Sequence, residues 1–522
     1  MNKTIILLIL IIVFVCVPLK GLDQFDPAED GWYFENWGEG VDFSWELFRK
    51  TYLGIYPDNN PVNAPLDCAF YEIFKNCAAQ GNCGGMSVLA LALFKYGGYM
   101  GFCSPANFYT GTDGPDREDL HQVINIIQAR QFSVSGITRF IDAVDRGTLN
   151  NAKAAFDNVK EQLGKGDYPV IWIAKDTIGD AAHTVIPYKI EDWGAQKIML
   201  IWDSNHPYDD DPTHYSPGST ANRLVINGPT NWSYTSGSHV YSGGGWCLCV
   251  PMSDIMRKSR HPFAVDIAAE VLQTLFVGGP GAAVSQITDE QGRRFYKNDN
   301  DVHTSINEIE TDPNKKIKGI IRWPWLGQRK KGQLPGELYF IRVHRGKIPN
   351  LTVTFSGKDY KVMLHAAGNL VELESRSPRK TRDIVKFSGI ASDRQSLEIK
   401  TSGTLKEFDV KQLRTGTSQR DYRSFHVKKL KIDAALTAVP VNIGVVGDFA
   451  GVELSAQEKT VHFAVGILQN KAGKVTSRTL QQLSTTPGKI LKIAPQNWKK
   501  LKDTLLEKQL RLLRKRKKRA VR

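Results

Sequence analysis

The stretch Ala79-Gln80-Gly81-Asn82-Cys83-Gly84-Gly85-Met86-Ser87-Val88-Leu89-Ala90-Leu91-Ala92-Leu93-Phe94 opens as a tight glycine-containing loop and passes into an apolar helix. A cysteine at that junction sits where the free N–H groups of the first helical turn point. Their partial positive charge favours the thiolate, which is the nucleophilic form. Gly84 and Gly85 remove side chains beside the sulfur, so a substrate carbonyl can come close. Gln80 is placed to donate an amide N–H to an oxyanion. For Cys83 read alone, a buried or bridged thiol is the competing account.

A thiolate of this kind needs a partner base, and His183 stands out among eleven histidines. It lies in Asp180-Ala181-Ala182-His183-Thr184-Val185-Ile186-Pro187-Tyr188-Lys189-Ile190, at the start of an expected strand. Upstream, an amphipathic helix over Ala152–Gly164 leads into a strand over Pro169–Ala174, and His183 follows the next loop. The base must be held in one tautomer by an acceptor on its second ring nitrogen. A strand over Ile198–Trp202 ends in Asp203-Ser204-Asn205, and antiparallel pairing with the His183 strand returns that end beside the imidazole. Asp203, or alternatively Asn205, then bonds the ring. An ordinary polar turn is the plain reading of those three residues. Asp203, Asn205 and Asp209 also have calcium-loop spacing, but the mid-loop glycine and terminal glutamate are missing.

Cys at a helix start, His opening a strand and Asp or Asn closing the next strand together resemble the papain-like cysteine peptidase superfamily. The likeness is nearest to its bacterial secreted and double-glycine-leader-peptidase branches, and it spans roughly residues 60–250. It is carried by Gly81-Asn82-Cys83-Gly84-Gly85-Met86-Ser87, Ala182-His183-Thr184-Val185 and Trp202-Asp203-Ser204-Asn205. The resemblance implies Cys83 as nucleophile, His183 as general base and acid, Asp203 as its orienter and Gln80 as oxyanion donor. The pattern departs at the glutamine, which in the family usually stands about six residues before the cysteine, where this chain has Cys77.

Working outward, the 522 residues are 41% apolar and 23% charged, which is ordinary globular usage and a prior of about three domains. The formal charge of +14 is concentrated at one end: Lys499–Arg522 holds twelve basic residues against two acids, leaving +4 for everything else. The body is therefore no evident nucleic-acid binder. The tail's Trp498, Leu501, Leu505, Leu506, Leu510, Leu512 and Leu513 make a basic amphipathic helix, suited to an anionic membrane surface. At the other end, Lys3 precedes an uncharged apolar run, Ile5–Val17, which reads as an export signal over 1–21, an uncleaved anchor and a lipid anchor being the other readings. With Cys16 set aside, Cys68, Cys77, Cys83, Cys103, Cys247 and Cys249 remain, without C-x-x-C or zinc-ligand spacing. Residues 253–335 read as a connecting segment with an apolar helix at Ala264–Phe276. Runs such as Leu351-Thr352-Val353-Thr354-Phe355 and Val461-His462-Phe463-Ala464-Val465 give 336–495 a period of two and the look of an antiparallel sandwich.

The expectation is an α+β protein: a papain-like domain over 22–252, a connecting segment, a β-sandwich region and a basic helix over 496–522. Its expected activity is secreted peptidase chemistry on peptide or protein substrates, with no cofactor, no metal and no specific nucleic-acid partner. Two alternatives share the same residues. One is an amidase or transglutaminase-like acyltransferase, the other a non-catalytic surface protein with a relic catalytic fold.

Overall fold

The computed structural model describes residues 25–493 apart from 38–42, 76–80, 110–116, 177–180, 209, 265–271, 280–281, 291–293, 298–302, 306–319, 324–335, 343–349, 367, 378, 391–393, 403–405, 416–419, 433–438, 447–448, 456–460, 473 and 486–489. The segment 1–21 expected to direct export, the basic tail, Cys16, Cys77, Gln80 and Asp209 lie outside the described residues. No helix among the described residues is long and apolar enough to cross a membrane.

The protein is a mixed α/β molecule whose paired strands all run antiparallel. Its described residues fall into two compact units. The first holds those up to Val41, Gly81–Gln131 and Ser135–Lys258; the second holds Asp42–Gln80, Phe132–Val134 and everything from Ser259 onward.

In the first unit the helices in use are α1 (Cys83–Tyr96), α2 (Glu118–Arg130), α3 (Val134–Asp145, counted here from Ser135) and α4 (Ala152–Gly164). Seven strands follow: β1 (Pro169–Ile173), β2 (His183–Trp193), β3 (Gln196–Trp202), β4 (Arg223–Ile226), β5 (Trp232–Ser236), β6 (His239–Ser242) and β7 (Cys247–Pro251). They form one sheet in the order β6-β5-β4-β3-β2-β1-β7. Ala152, Ala155, Phe156 and Val159 of α4 share a buried cluster with Ile171, Val185, Met199, Ile201 and Cys249 of the sheet. Residues 83–94 of α1 are all buried, as expected of a helix that is apolar on every side. It ends on Gly97, whose left-handed φ of 71° frees its N–H to reach the Leu93 carbonyl at 2.8 Å. Ser87 of α1 donates to the Thr184 carbonyl of β2 at 3.2 Å, and Phe25 packs its ring between Phe94 and Trp202.

The second unit carries two nine-stranded antiparallel sheets. Its strands in use are β8 (Leu272–Gly278), β9 (Gly336–Arg342), β10 (Leu351–Gly357), β11 (Tyr360–Ala366), β12 (Thr381–Ser388) and β13 (Lys406–Thr415). β8, β9, β11 and β13 belong to one sheet, β10 and β12 to the other. A single apolar cluster draws on both: Leu275, Tyr339, Val362 and Val410 from the first, Val353, Phe355 and Val385 from the second. Alternate residues along each strand supply it, which is the period of two seen in the sequence.

Of the apolar helix expected over Ala264–Phe276, the part over Leu272–Phe276 is corrected by this arrangement, and residues 265–271 lie outside the described residues. Leu272–Gly278 is a strand hydrogen-bonded on both sides, to β9 and to β11. Leu275 and Val277 face the shared cluster. So short a run fixes no period of its own, so pairing partners on both edges decide its conformation.

Candidate active site

Three elements converge on one point of the first unit. Cys83 is the first residue of α1, His183 the first of β2, and Asp203 follows the last residue of β3. β2 and β3 pair antiparallel, with Ile186 opposite Trp202, so the start of one lies beside the end of the other. Ala181, two residues before His183, has a left-handed φ of 49°, uncommon for a residue with a side chain, and its carbonyl is pinned by the Tyr241 hydroxyl at 3.0 Å.

His183 Nε2 lies 2.6 Å from Asp203 Oδ1, and both residues are buried. That leaves Nδ1 as the ring nitrogen for Cys83, with which His183 shares a side-chain hydrogen bond. Burial would push the Cys83 thiol up. The charge and hydrogen bond of His183, with the Thr184 backbone N–H, outweigh it and hold the thiol below its ordinary value. Burial would likewise pull His183 down, but the carboxylate of Asp203 and the sulfur of Cys83 raise it to about 10. Asp203 would be raised by burial and is instead held well below the usual carboxylate range by His183 and its hydrogen bonds. Both shifts act in favour of a thiolate and an imidazolium beside the Asp203 carboxylate. Other buried cysteines contrast with this: burial pushes Cys68 and Cys249 up to about 12, and Cys247 is also raised.

Asp203 is held from several directions. Its Oδ2 accepts from the Tyr234 hydroxyl of β5 at 2.7 Å, and its Oδ1 also accepts from the Asn205 N–H at 2.8 Å. Its own N–H donates to the Tyr215 hydroxyl at 3.2 Å. Of the two acids and amides that the sequence offered for His183, the imidazole meets Asp203. Asn205 supports that carboxylate through its backbone, and its side chain donates to Ser236 Oγ at 3.3 Å. Gln80 lies outside the described residues.

Sequence reasoning missed Asn36. Its Oδ1 accepts the Asn82 N–H at 2.7 Å, one residue before Cys83. Its Nδ2 donates to Asn205 Oδ1 at 3.2 Å, and its own N–H donates to the Ser204 carbonyl at 2.8 Å. One side chain thus ties the loop before Cys83 to the loop after Asp203. Only the isolated Trp-Tyr-Phe-Glu-Asn-Trp run hinted that this stretch packs against anything.

The glycines after Cys83 have a different role from the one their sequence position suggested. A Cβ at Gly84 would lie 2.1 Å from Gln131 Nε2, and one at Gly85 would lie 2.2 Å from the Ile124 carbonyl. They admit α2 and the residue just past it against α1, rather than clearing space for a substrate. In the first turn of α1, Gly85 N–H goes to Gln128 Oε1 at 2.8 Å and Met86 N–H to the Asn82 carbonyl at 2.8 Å.

Among the described residues, His206, Asp211 and His214 bring ligand atoms within 4.8 Å of one another. His206 Nε2 already accepts the Gly237 N–H at 2.9 Å, and Asp211 Oδ1 accepts from Thr213 and from the His214 N–H. The group is therefore a hydrogen-bonded turn first. Asp203, the leading ligand of the calcium-loop reading, is committed to His183 and Tyr234. No family model, curated protein or solved structure matches the chain.

Proposed function

We propose that the protein is a secreted cysteine hydrolase of papain-like design that cleaves amide bonds in peptides or proteins. The observation that carries this reading is the buried Cys83–His183–Asp203 line, in which one cysteine among several buried ones is drawn toward thiolate. In the proposed reaction the Cys83 sulfur attacks the substrate carbonyl carbon. His183, already protonated, hands its Nδ1 proton to the departing amine. Water then enters, His183 takes its proton, and the hydroxide cleaves the thioester to release the acid. The negative oxygen formed in each step needs donors, and the N–H groups of Cys83 and Gly84 remain for it, since those of Gly85 and Met86 are bonded elsewhere.

In this reading the two nine-stranded sheets form an antiparallel sandwich that binds or spaces, and the Lys499–Arg522 tail holds the secreted enzyme at an anionic surface. The test joins labelling to turnover. A thiol-directed electrophile should modify Cys83 far faster than Cys68, Cys103, Cys247 or Cys249, and the labelled protein should lose hydrolysis of a mixed peptide library. Cys83→Ala should be inactive on the same library. Undiminished cleavage by Cys83→Ala defeats the proposal.

A further inference from the structure

A second group of reactive side chains lies in the core of the other unit, remote in sequence from the triad. Lys406 opens β13 in one nine-stranded sheet, and Asp383 lies in β12 of the other. Both side chains are wholly buried, and Lys406 Nζ is hydrogen-bonded to Asp383 Oδ2. Lys406 Nζ also donates to Thr381 Oγ1 at 2.5 Å, and that hydroxyl lies 3.1 Å from Asp383 Oδ2. The Tyr360 hydroxyl donates to the same carboxyl oxygen at 2.6 Å. The rings of Tyr360 and Phe408 flank the amine, at 4.4 and 5.5 Å from Nζ. Asp383 Oδ1 is buried with no hydrogen-bond partner.

We infer that this is a self-modification site, where Lys406 and Asp383 condense into an intramolecular amide that joins the two sheets. The reaction needs the uncharged pair, reached when the Lys406 ammonium passes one proton to Asp383 Oδ2 within their hydrogen bond; burial draws Lys406 below the ordinary lysine range despite its acidic neighbour. The two groups are held in contact by the strands that carry them, so the reaction is unimolecular and requires no further ordering.

The step balances without any other reagent. The neutral Nζ attacks Asp383 Cγ and the N–C bond forms. One amine proton passes to Thr381 Oγ1, whose own proton moves to Oδ2. The Cγ–Oδ2 bond then breaks, and that oxygen leaves as water, with the Tyr360 hydroxyl polarising it throughout. No cysteine follows Cys249, so this region has no disulfide to hold its sheets together, and one inter-sheet amide supplies a covalent link.

Tryptic mapping of the full-length denatured protein tests the inference. The expected product is Asp383–Lys386 joined to Thr401–Lys411, lighter by one water than the two peptides together, with no cleavage after Lys406. Thr381→Val should leave most molecules unjoined at times when the wild type is fully joined. Lys406→Met should show no joined peptide at all. Recovery of free Asp383–Lys386 and free Thr401–Lys406 from the wild type, without the joined species, overturns the inference. Equal joining in Thr381→Val and wild type removes the hydroxyl relay from it.

Discussion

Asp203 and its neighbours divide the work on His183 into charge and position, and substitutions can separate the two. Asp203→Asn keeps an acceptor for the imidazole but deletes the negative charge that raises it. In the wild type the active thiolate–imidazolium pair forms as pH rises through the lowered Cys83 value. It is lost as His183 gives up its proton near pH 10. The alkylation rate of Cys83 and kcat/KM should therefore follow a bell whose alkaline limb lies near 10 in the wild type. In Asp203→Asn that limb should move toward neutrality; an unmoved limb would mean Asp203 does not set the charge of His183. Tyr234→Phe and Asn36→Ala act on position. Neither changes net charge: Tyr234→Phe removes one hydrogen bond to an ionised partner, worth about 1.5–3 kcal/mol, and Asn36→Ala removes two neutral ones, worth about 1 kcal/mol each. Each should lower kcat roughly 10- to 100-fold with KM little changed. Steady-state kinetics with titration of the reactive Cys83 thiol check both, because a merely structural loss would lower the titratable fraction, whereas a positional loss lowers kcat per titrated thiol. Cys83, His183 and Asp203 were legible in the sequence because reactive residue types sat at the ends of recognisable elements. Asn36 and Tyr234 were not, because each acts on a partner 46 or 31 residues away and neither stands in a local pattern.

At the scale of elements, the approach of α1 to α2 decides whether the sulfur is where the chemistry needs it. The Ile124 carbonyl that a Gly85 side chain would strike is backbone and cannot swing aside. Gly85→Ala should cost about 1–3 kcal/mol through overpacking and shift the start of α1, and with it Cys83. Gly164→Ala is the control, because nothing lies within 4 Å of a Cβ placed there. Thermal unfolding should separate the two variants, and equal melting temperatures would mean that the α1–α2 contact is not tight. Strong local patterns made many elements readable: the all-apolar α1 after its glycine loop, the amphipathic α4, and the alternation in β10. Leu272–Phe276 was misread because a run of leucine, glutamine, threonine and phenylalanine suits a buried helix as well as a buried strand. Only β9 and β11, far along the chain, supply the ladders that settle it. The reason for Gly84 and Gly85 was hidden in the same way, since the side chains they accommodate lie some 40 residues on.

For the whole molecule, the order of the chain and the order of the packing differ, and this governs how it can be cut. A boundary near Met252 follows from the composition of the sequence, but Asp42–Gln80 clusters with residues from Ser259 onward. The reasons are specific. His261 Nε2 meets Asp67 Oδ1 at 2.8 Å with both residues buried, and the His261 ring stacks on Phe70 at 4.9 Å. The Leu53 N–H donates to the Ser259 carbonyl at 3.0 Å. Further along the chain, the Tyr422 hydroxyl and Asn470 Nδ2 both donate to the Val62 carbonyl, at 3.0 and 2.7 Å. A chain ending at Lys258 would keep Asp67 while deleting its buried partner, and would strip Phe48 of His261 and Phe70 of both His261 and Phe263. Exposing a now-buried phenylalanine forfeits about 1.5–3 kcal/mol, and the abandoned carboxyl adds its own penalty. Against a total stability of about 5–15 kcal/mol, that loss is a large share. The truncated chain should therefore be recovered mainly as aggregate, whereas one ending at Asn497 should remain soluble and monodisperse. Size-exclusion chromatography of the two, expressed side by side, decides it. A soluble Lys258-terminated chain that still reacts rapidly at Cys83 would show that the unit holding Cys83 stands without the strands that follow it.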